Sequence, residues 1–202
     1  MTRQMYDAVT PSNIPANPQM VAGYINGRYA WTPADWAKFP HAAHVTIDVT
    51  GARPDADVLD VEKGDATPAG AVRWVKAKLA LKGSYLPILY CSRSTLTPLF
   101  NALQAVGYSV NKHFRIWIAI PGSNVPVKDM TGVVAIQWNF AGGYDESTVY
   151  DNAFKAVAPP KPTKPPVVSK PTPRPILKGV LVTVPNGVAK NVTSADNGVT
   201  WK

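Results

Sequence analysis

The sequence predicts an α/β fold in which parallel β/α units close into a reduced or irregular barrel. Three observations predict it. Short β-branched apolar runs recur from Arg3 to Trp138, and helical patterns separate several of them. Two of those helical segments have amphipathic periodicity with start and stop signals. Val58-Leu59-Asp60-Val61-Glu62 runs through Lys63-Gly64 into Thr67-Pro68, so acids stand at the end of a strand just before a helix cap.

The elements follow in order. Arg3 to Val9 reads as a first strand ending near Asp7, and the proline- and asparagine-rich Thr10–Pro18 as a loop. Met20 to Ile25 is a second strand, closed by the Asn26-Gly27 turn signal. Thr32 to Phe39 is a short helix with Thr32 as cap, Pro33 at its first position, and Trp36 and Phe39 on one face. His44 to Val49 is a third strand, Gly51 to Asp55 a turn, and Val58 to Glu62 a fourth strand. On a strand, period-two alternation puts Asp60 and Glu62 on one side. Thr67 to Lys82 is a helix closed by Gly83. Val72, Trp74, Val75 and Leu79 face inward, and Arg73, Lys76, Lys78 and Lys82 face water. Leu86 to Tyr90 is a fifth strand. Ser94 to Val106 is a helix stopped by Gly107, with Leu99, Leu103 and Val106 inward. Phe114 to Ile120 and Val133 to Trp138 are the sixth and seventh strands. Several connections are too short for a full helix, hence the reduced barrel.

Bulk properties bound the function. The 202 residues suit one domain, 1–157, with an appendage. With a single cysteine, Cys91, no intrachain disulfide forms and no cysteine-based zinc site is supported. His41, His44 and His113 lack metal-ligand spacing, so no metal and no cofactor is expected. No apolar run of membrane-spanning length exists, and Met1 to Thr10 is polar, without a visible secretory signal. The net charge is +8, and Lys161, Lys164, Lys170 and Arg174 supply half of it. A basic surface suits an anionic partner, but no nucleic-acid motif is present.

Residues 158–175 hold eight prolines and read as an extended polyproline II linker. Residues 176–202 read as a short β-hairpin or docking tail around Asn186-Gly187. A lone hairpin is marginal in water, so this tail calls for a partner, its own oligomer or the main domain.

The acids are the candidate chemistry. Asp7 ends the first strand, Asp60 and Glu62 the fourth, and Asp145 follows the last strand in Gly142-Gly143-Tyr144-Asp145-Glu146-Ser147. Glu62 is one of only two glutamates in the chain. A solvated strand-end pair is the competing account of Asp60 and Glu62, and loop capping that of Asp7 and Asp145. The motifs Met5-Tyr6-Asp7-Ala8-Val9, Leu59-Asp60-Val61-Glu62, Trp117-Ile118-Ala119, Gln137-Trp138 and Tyr144-Asp145-Glu146-Ser147 occur in the order found in the family-25 glycoside hydrolases. The chain resembles that family of bacterial and phage lysozymes over about residues 3–157. It is most similar to compact actinobacterial and actinophage domains related to it, through Val21-Ala22-Gly23-Tyr24 and Asp60 to Pro68. It departs in its shorter length, in lacking the family's second- and third-strand motifs, and in Ile120-Pro121 where a substrate-facing aromatic is often found.

The resemblance implies a TIM-like β/α barrel that cleaves the β-1,4 bond after N-acetylmuramic acid. Glu62 would be the general acid. Asp60 would orient the 2-acetamido group or stabilise charge, with Asp7 and Asp145 positioning both. Tyr24, Tyr29, Trp31, Tyr90, Trp117, Trp138 and Tyr144 are candidate sugar platforms, each with core packing as its competing role. The first expectation is therefore a peptidoglycan muramidase, carried by a phage virion or acting outside a cell. Its partners would be the glycan and, through 158–202, phage structural proteins or its own oligomer. The second expectation is a non-catalytic minor tail or capsid decoration protein that keeps a lysozyme-like fold to bind host-surface glycans. A soluble lysis enzyme without a wall-binding domain is a third.

Overall fold

The structure is a computed structural model that describes residues 2–81, 85–122, 131–150 and 154. All of them belong to the unit Met1–Pro162. The expected linker 158–175 and tail 176–202 lie outside the described residues, as do Lys82 and Gly83 at the expected end of the second helix.

Eight strands close into a barrel in sequence order: β1 (Thr2–Asp7), β2 (Met20–Tyr24), β3 (Ala43–Asp48), β4 (Val58–Asp60), β5 (Ile88–Ser92), β6 (Arg115–Ala119), β7 (Val133–Ala141) and β8 (Tyr144–Tyr150). Neighbours from β1 to β7 pair in parallel. β8 runs antiparallel to both β7 and β1 and closes the ring. The sequence reading missed this strand and left Asp145 in a loop after the last one. Gly142 and Gly143 both have positive φ, 73° and 84°, and link β7 to β8 by a two-residue hairpin turn of the primed kind.

Alternation sorts the strand residues. Met5, Met20, Val45, Val58, Ile88, Trp117 and Val149 share the interior. Leu59, Leu89, Cys91, Ile116 and Ile118 point outward beneath two helices, α2 (Pro68–Leu79) and α3 (Arg93–Gln104). Ala71, Trp74 and Val75 of α2 and Leu99 and Leu103 of α3 complete that outer core. Thr67 caps α2 by accepting the Gly70 N–H at 3.1 Å, worth about 1 kcal/mol. The third helix, α1 (Pro33–Trp36), is a single turn held by a Thr32–Asp35 capping box.

The helix faces differ in part from expectation. Leu79 and Val106 are 37% and 53% exposed. Lys78, expected on the wet face, is 5% exposed. Its ammonium donates to the carbonyls of Ala56 and Pro54 and lies 5.2 Å from the Trp74 ring centre. Carbonyls of the β3–β4 loop take the place of water around the ammonium.

Candidate active site

The parallel strands aim their C-terminal ends at one mouth of the barrel. Asp7 is the last residue of β1, Tyr24 of β2, Asp60 of β4 and Ser92 of β5. β8 enters from that same mouth, so its second residue, Asp145, is the cross-strand partner of Asp7. Asp60 is likewise the partner of Tyr90 on β5.

Glu62 is placed differently from the sequence expectation. β4 ends at Asp60, so strand alternation does not orient the pair. Val61 still donates to the Tyr90 carbonyl at 2.9 Å, and Asp65 then donates to the Glu62 carbonyl at 3.1 Å. The resulting turn needs Gly64 at φ 104°, a left-handed conformation that side chains disfavour. Glu62 is thereby held at the head of a tight turn, with its carboxylate hydrogen-bonded by the backbone and hydroxyl of Ser92.

The four acids form one electrostatic group, graded by burial. Asp7 is 4% exposed and its carboxyl is pushed well above the usual range, by burial first and then by Asp145, Asp60 and Glu62. Asp60 is 6% exposed and pushed up to about 8, by burial and then by the charges of Glu62 and Asp65. Half-buried Glu62 is raised by burial and by Asp65, with Ser92 pulling it back. Asp145 is raised by burial against a lowering hydrogen bond from Gln137. Among the described residues no basic side chain forms an ion pair with any of the four. One oxygen each of Asp7 and Asp60, Oδ1, is buried without a hydrogen-bond partner. Burial with no compensating cation therefore favours the protonated form of Asp60, and one oxygen each of Asp7 and Asp60 has no protein donor.

The aromatic candidates separate. Tyr24 and Tyr90 lie beside the acids, and both hydroxyls are raised by burial and then by carboxylates of this group. Half-buried Tyr144 stands next to Asp145 and meets the Tyr6 ring edge-on at 5.6 Å. Tyr29 is exposed, with Arg28 over its ring at 5.4 Å. Trp117 is an interior core residue whose indole N–H is satisfied by Ser147 Oγ at 3.0 Å. Trp31 is packed between Trp36 and Phe39, with its indole N–H on the Ala8 carbonyl. Trp138 faces the outer core rather than the barrel interior.

Sequence reasoning missed Ser92, Gln137 and Asp65 as members of the site. Ser92 and Gln137 are polar residues at inward positions of otherwise apolar strands, a signal present in the period-two pattern. Asp48, also at a strand end, turns outward. It gathers Asn26, the backbone N–H groups of Thr50, Gly51 and Arg53, and the Trp74 indole, so it organises a loop. Cys91 is buried and its thiol is pushed up to about 12, by burial and then by Glu62 and Asp60, which makes it a poor nucleophile. Among the described residues no cluster of His, Cys, Asp and Glu is arranged to hold a metal ion. No described helix is long and apolar enough to cross a membrane.

No family model matches the chain, and no curated protein matches it. Among solved structures it is similar to an uncharacterized B. stearothermophilus protein, with 12% identity and a TM-score of 0.48 over 74% of this chain and 96% of that one.

Proposed function

We propose that this chain is a glycoside hydrolase of the lysozyme type, cleaving β-1,4 bonds of peptidoglycan glycan strands. The observation that carries the reading is the group of four carboxyls at one barrel mouth, two fully buried and two half-exposed. Glycosidic cleavage needs a proton for the leaving oxygen and acceptors for an oxocarbenium-like sugar. Glu62 is the proton donor: of the two half-exposed acids with raised pKa, it is the one that Ser92 orients at the strand end. Its proton passes to the glycosidic oxygen as the C1–O bond breaks, and a water then bonds C1 through its oxygen while giving a proton back to the Glu62 carboxylate. Asp60 keeps its free Oδ1 as the acceptor for the sugar's 2-acetamido N–H. Asp145 faces the developing positive charge, and Asp7 fixes the protonation of the group from below. Tyr24, Tyr90 and Tyr144 line the approach for the sugar.

On this reading the fold is a reduced TIM-like β/α barrel in which the β7–β8 hairpin replaces the last β/α unit. The proline-rich sequence of residues 158–202 would serve to tether the domain to a virion or wall. The test is release of reducing ends from purified peptidoglycan by the full chain. Glu62→Gln is expected to lower the rate at least about a hundredfold, with the melting temperature retained. Equal rates for parent and Glu62→Gln overturn the mechanism, and no release by either overturns the activity.

A further inference from the structure

Six side-chain polar atoms among the described residues are buried without a partner, and two of them, on Asp7 and Asp60, belong to the acid group. Three of the other four sit on residues of a different region. Arg3 Nη2, Trp138 Nε1 and the Tyr150 hydroxyl all belong to residues lining one open pocket of about 480 Å³. Thr2, Gln4, Gln19 and Thr148 are its other described lining residues. Thr2 pairs with Tyr150 and Gln4 with Thr148, so the pocket lies along β1 and β8, with Trp138 reaching in from β7. Arg3 precedes Asp7 by four residues on β1, roughly 13 Å along an extended strand. The pocket is thus separate from the acids.

Its chemistry is one-sided. Among the described residues the lining has no carboxylate and the guanidinium has no ion-pair partner. An indole N–H and a guanidinium N–H can only donate, and the tyrosine and threonine hydroxyls can also donate. Gln19 Oε1 is already taken by the Gln4 N–H at 2.9 Å, which leaves its NH2 as another donor. Burying donors without acceptors costs free energy, so a ligand that brings acceptors recovers it. One cation with neighbouring neutral donors matches a singly charged, planar, two-oxygen group better than a doubly charged phosphate.

We propose that the flank of β7, β8 and β1 is a binding site for a small organic carboxylate. Arg3 supplies the charge, and Trp138 Nε1 and the Tyr150 hydroxyl supply directional hydrogen bonds. The site stands whether or not the acid group hydrolyses glycans.

The test is nuclear magnetic resonance on the full 202-residue chain. The Trp138 indole N–H resonance is assigned with Trp138→Phe and followed during titration with acetate, glucuronate, glucose and inorganic phosphate. Saturable shifts with acetate or glucuronate, and none with glucose, are expected. The tighter of the two acids identifies a free or a sugar-borne carboxylate. Arg3→Gln is expected to weaken binding about tenfold or more and Tyr150→Phe several-fold, with Arg3→Lys recovering part of the loss. A variant counts only if its melting temperature and the remaining indole resonances match the parent. No shift with either acid, equal shifts with glucose, tighter binding of phosphate, or unchanged affinity in both Arg3→Gln and Tyr150→Phe overturns the proposal.

Discussion

Asp7 and Asp145 face each other directly across the antiparallel β1–β8 pair. Like charges at facing strand positions repel, and Asp7 is almost completely buried while Asp145 is half-exposed. The pair is therefore asymmetric. Burial raises Asp7 well above the usual carboxylate range, and Asp145, also raised by burial, is the member nearer solvent. One strand running against the others produces this arrangement, because it carries an acid back to the mouth where the parallel strands end.

Stability should fall as pH rises. Asp60 is raised to about 8 and Asp7 is raised as well, so the folded state binds more protons than the unfolded chain above about pH 4. Their favourable contribution is complete below the unfolded pKa and is lost as pH climbs through the folded values. The melting temperature should drop as pH rises from about 4 to about 8, the window that Asp60 sets, with Asp7 acting in the same sense. Asp60→Asn should flatten that drop, and a slope unchanged in both Asp60→Asn and Asp7→Asn would contradict the burial argument.

The alkaline limb of the proposed hydrolysis should move with Asp65. After burial, the Asp65 charge is the largest influence raising Glu62. Removing it with Asp65→Asn lowers the Glu62 pKa, so Glu62 loses its proton at lower pH. The pH profile of kcat/KM should shift its alkaline limb toward acid, with the plateau rate retained. A limb that stays in place would point to another residue as proton donor.

Much of the barrel was legible because its signals are local. Thr32-Pro33 and Thr67-Pro68 announce helix starts, and the β-branched runs at His44–Val49 and Arg115–Ala119 announce strands. The hidden parts are those set by distant partners. Gly142-Gly143 is itself a hairpin signal, yet Tyr144–Tyr150 is polar enough to pass for a loop, because one face of β8 meets only partly buried surroundings. Glu62 seemed oriented by strand alternation, whereas a Gly64 turn and Ser92 hold it. Asp7 and Asp145 are far apart in sequence, and only barrel closure makes them neighbours. Trp31 and Trp117 illustrate the limit for aromatics: composition does not say which indole N–H finds a buried acceptor.

Asp48 should be worth more to the fold than any acid at the mouth. Its two oxygens accept Asn26 at 2.7 Å, the N–H groups of Thr50, Gly51 and Arg53 at 2.7–2.9 Å, and the Trp74 indole at 3.0 Å. Burial pushes its pKa up, but hydrogen bonds from Asn26 and from the Arg53, Thr50 and Gly51 backbone outweigh that and hold it low. Its stabilisation is therefore present above the unfolded pKa and lost as pH falls through the folded one, the opposite sense to Asp60. Asp48→Ala should cost about 3 kcal/mol or more in urea unfolding, since it strands several buried donors. A cost under about 1 kcal/mol would mean that the loop finds other acceptors.

Lys78 offers the sharpest contrast with its own helix. Lys76, two residues earlier and on the opposite face of α2, is exposed, whereas Lys78 is buried over Trp74 with its ammonium on the Ala56 and Pro54 carbonyls. Burial lowers its pKa, opposed by Asp57 and Asp55. Lys78→Met keeps the apolar stem but leaves those carbonyls without this donor, and Lys76→Met changes only solvated surface. Urea unfolding should show a loss of about 1–3 kcal/mol for Lys78→Met and within about 0.5 kcal/mol for Lys76→Met. Equal effects at the two positions would mean that the stem's packing, and not the ammonium's carbonyl bonds, is what ties α2 to the β3–β4 loop.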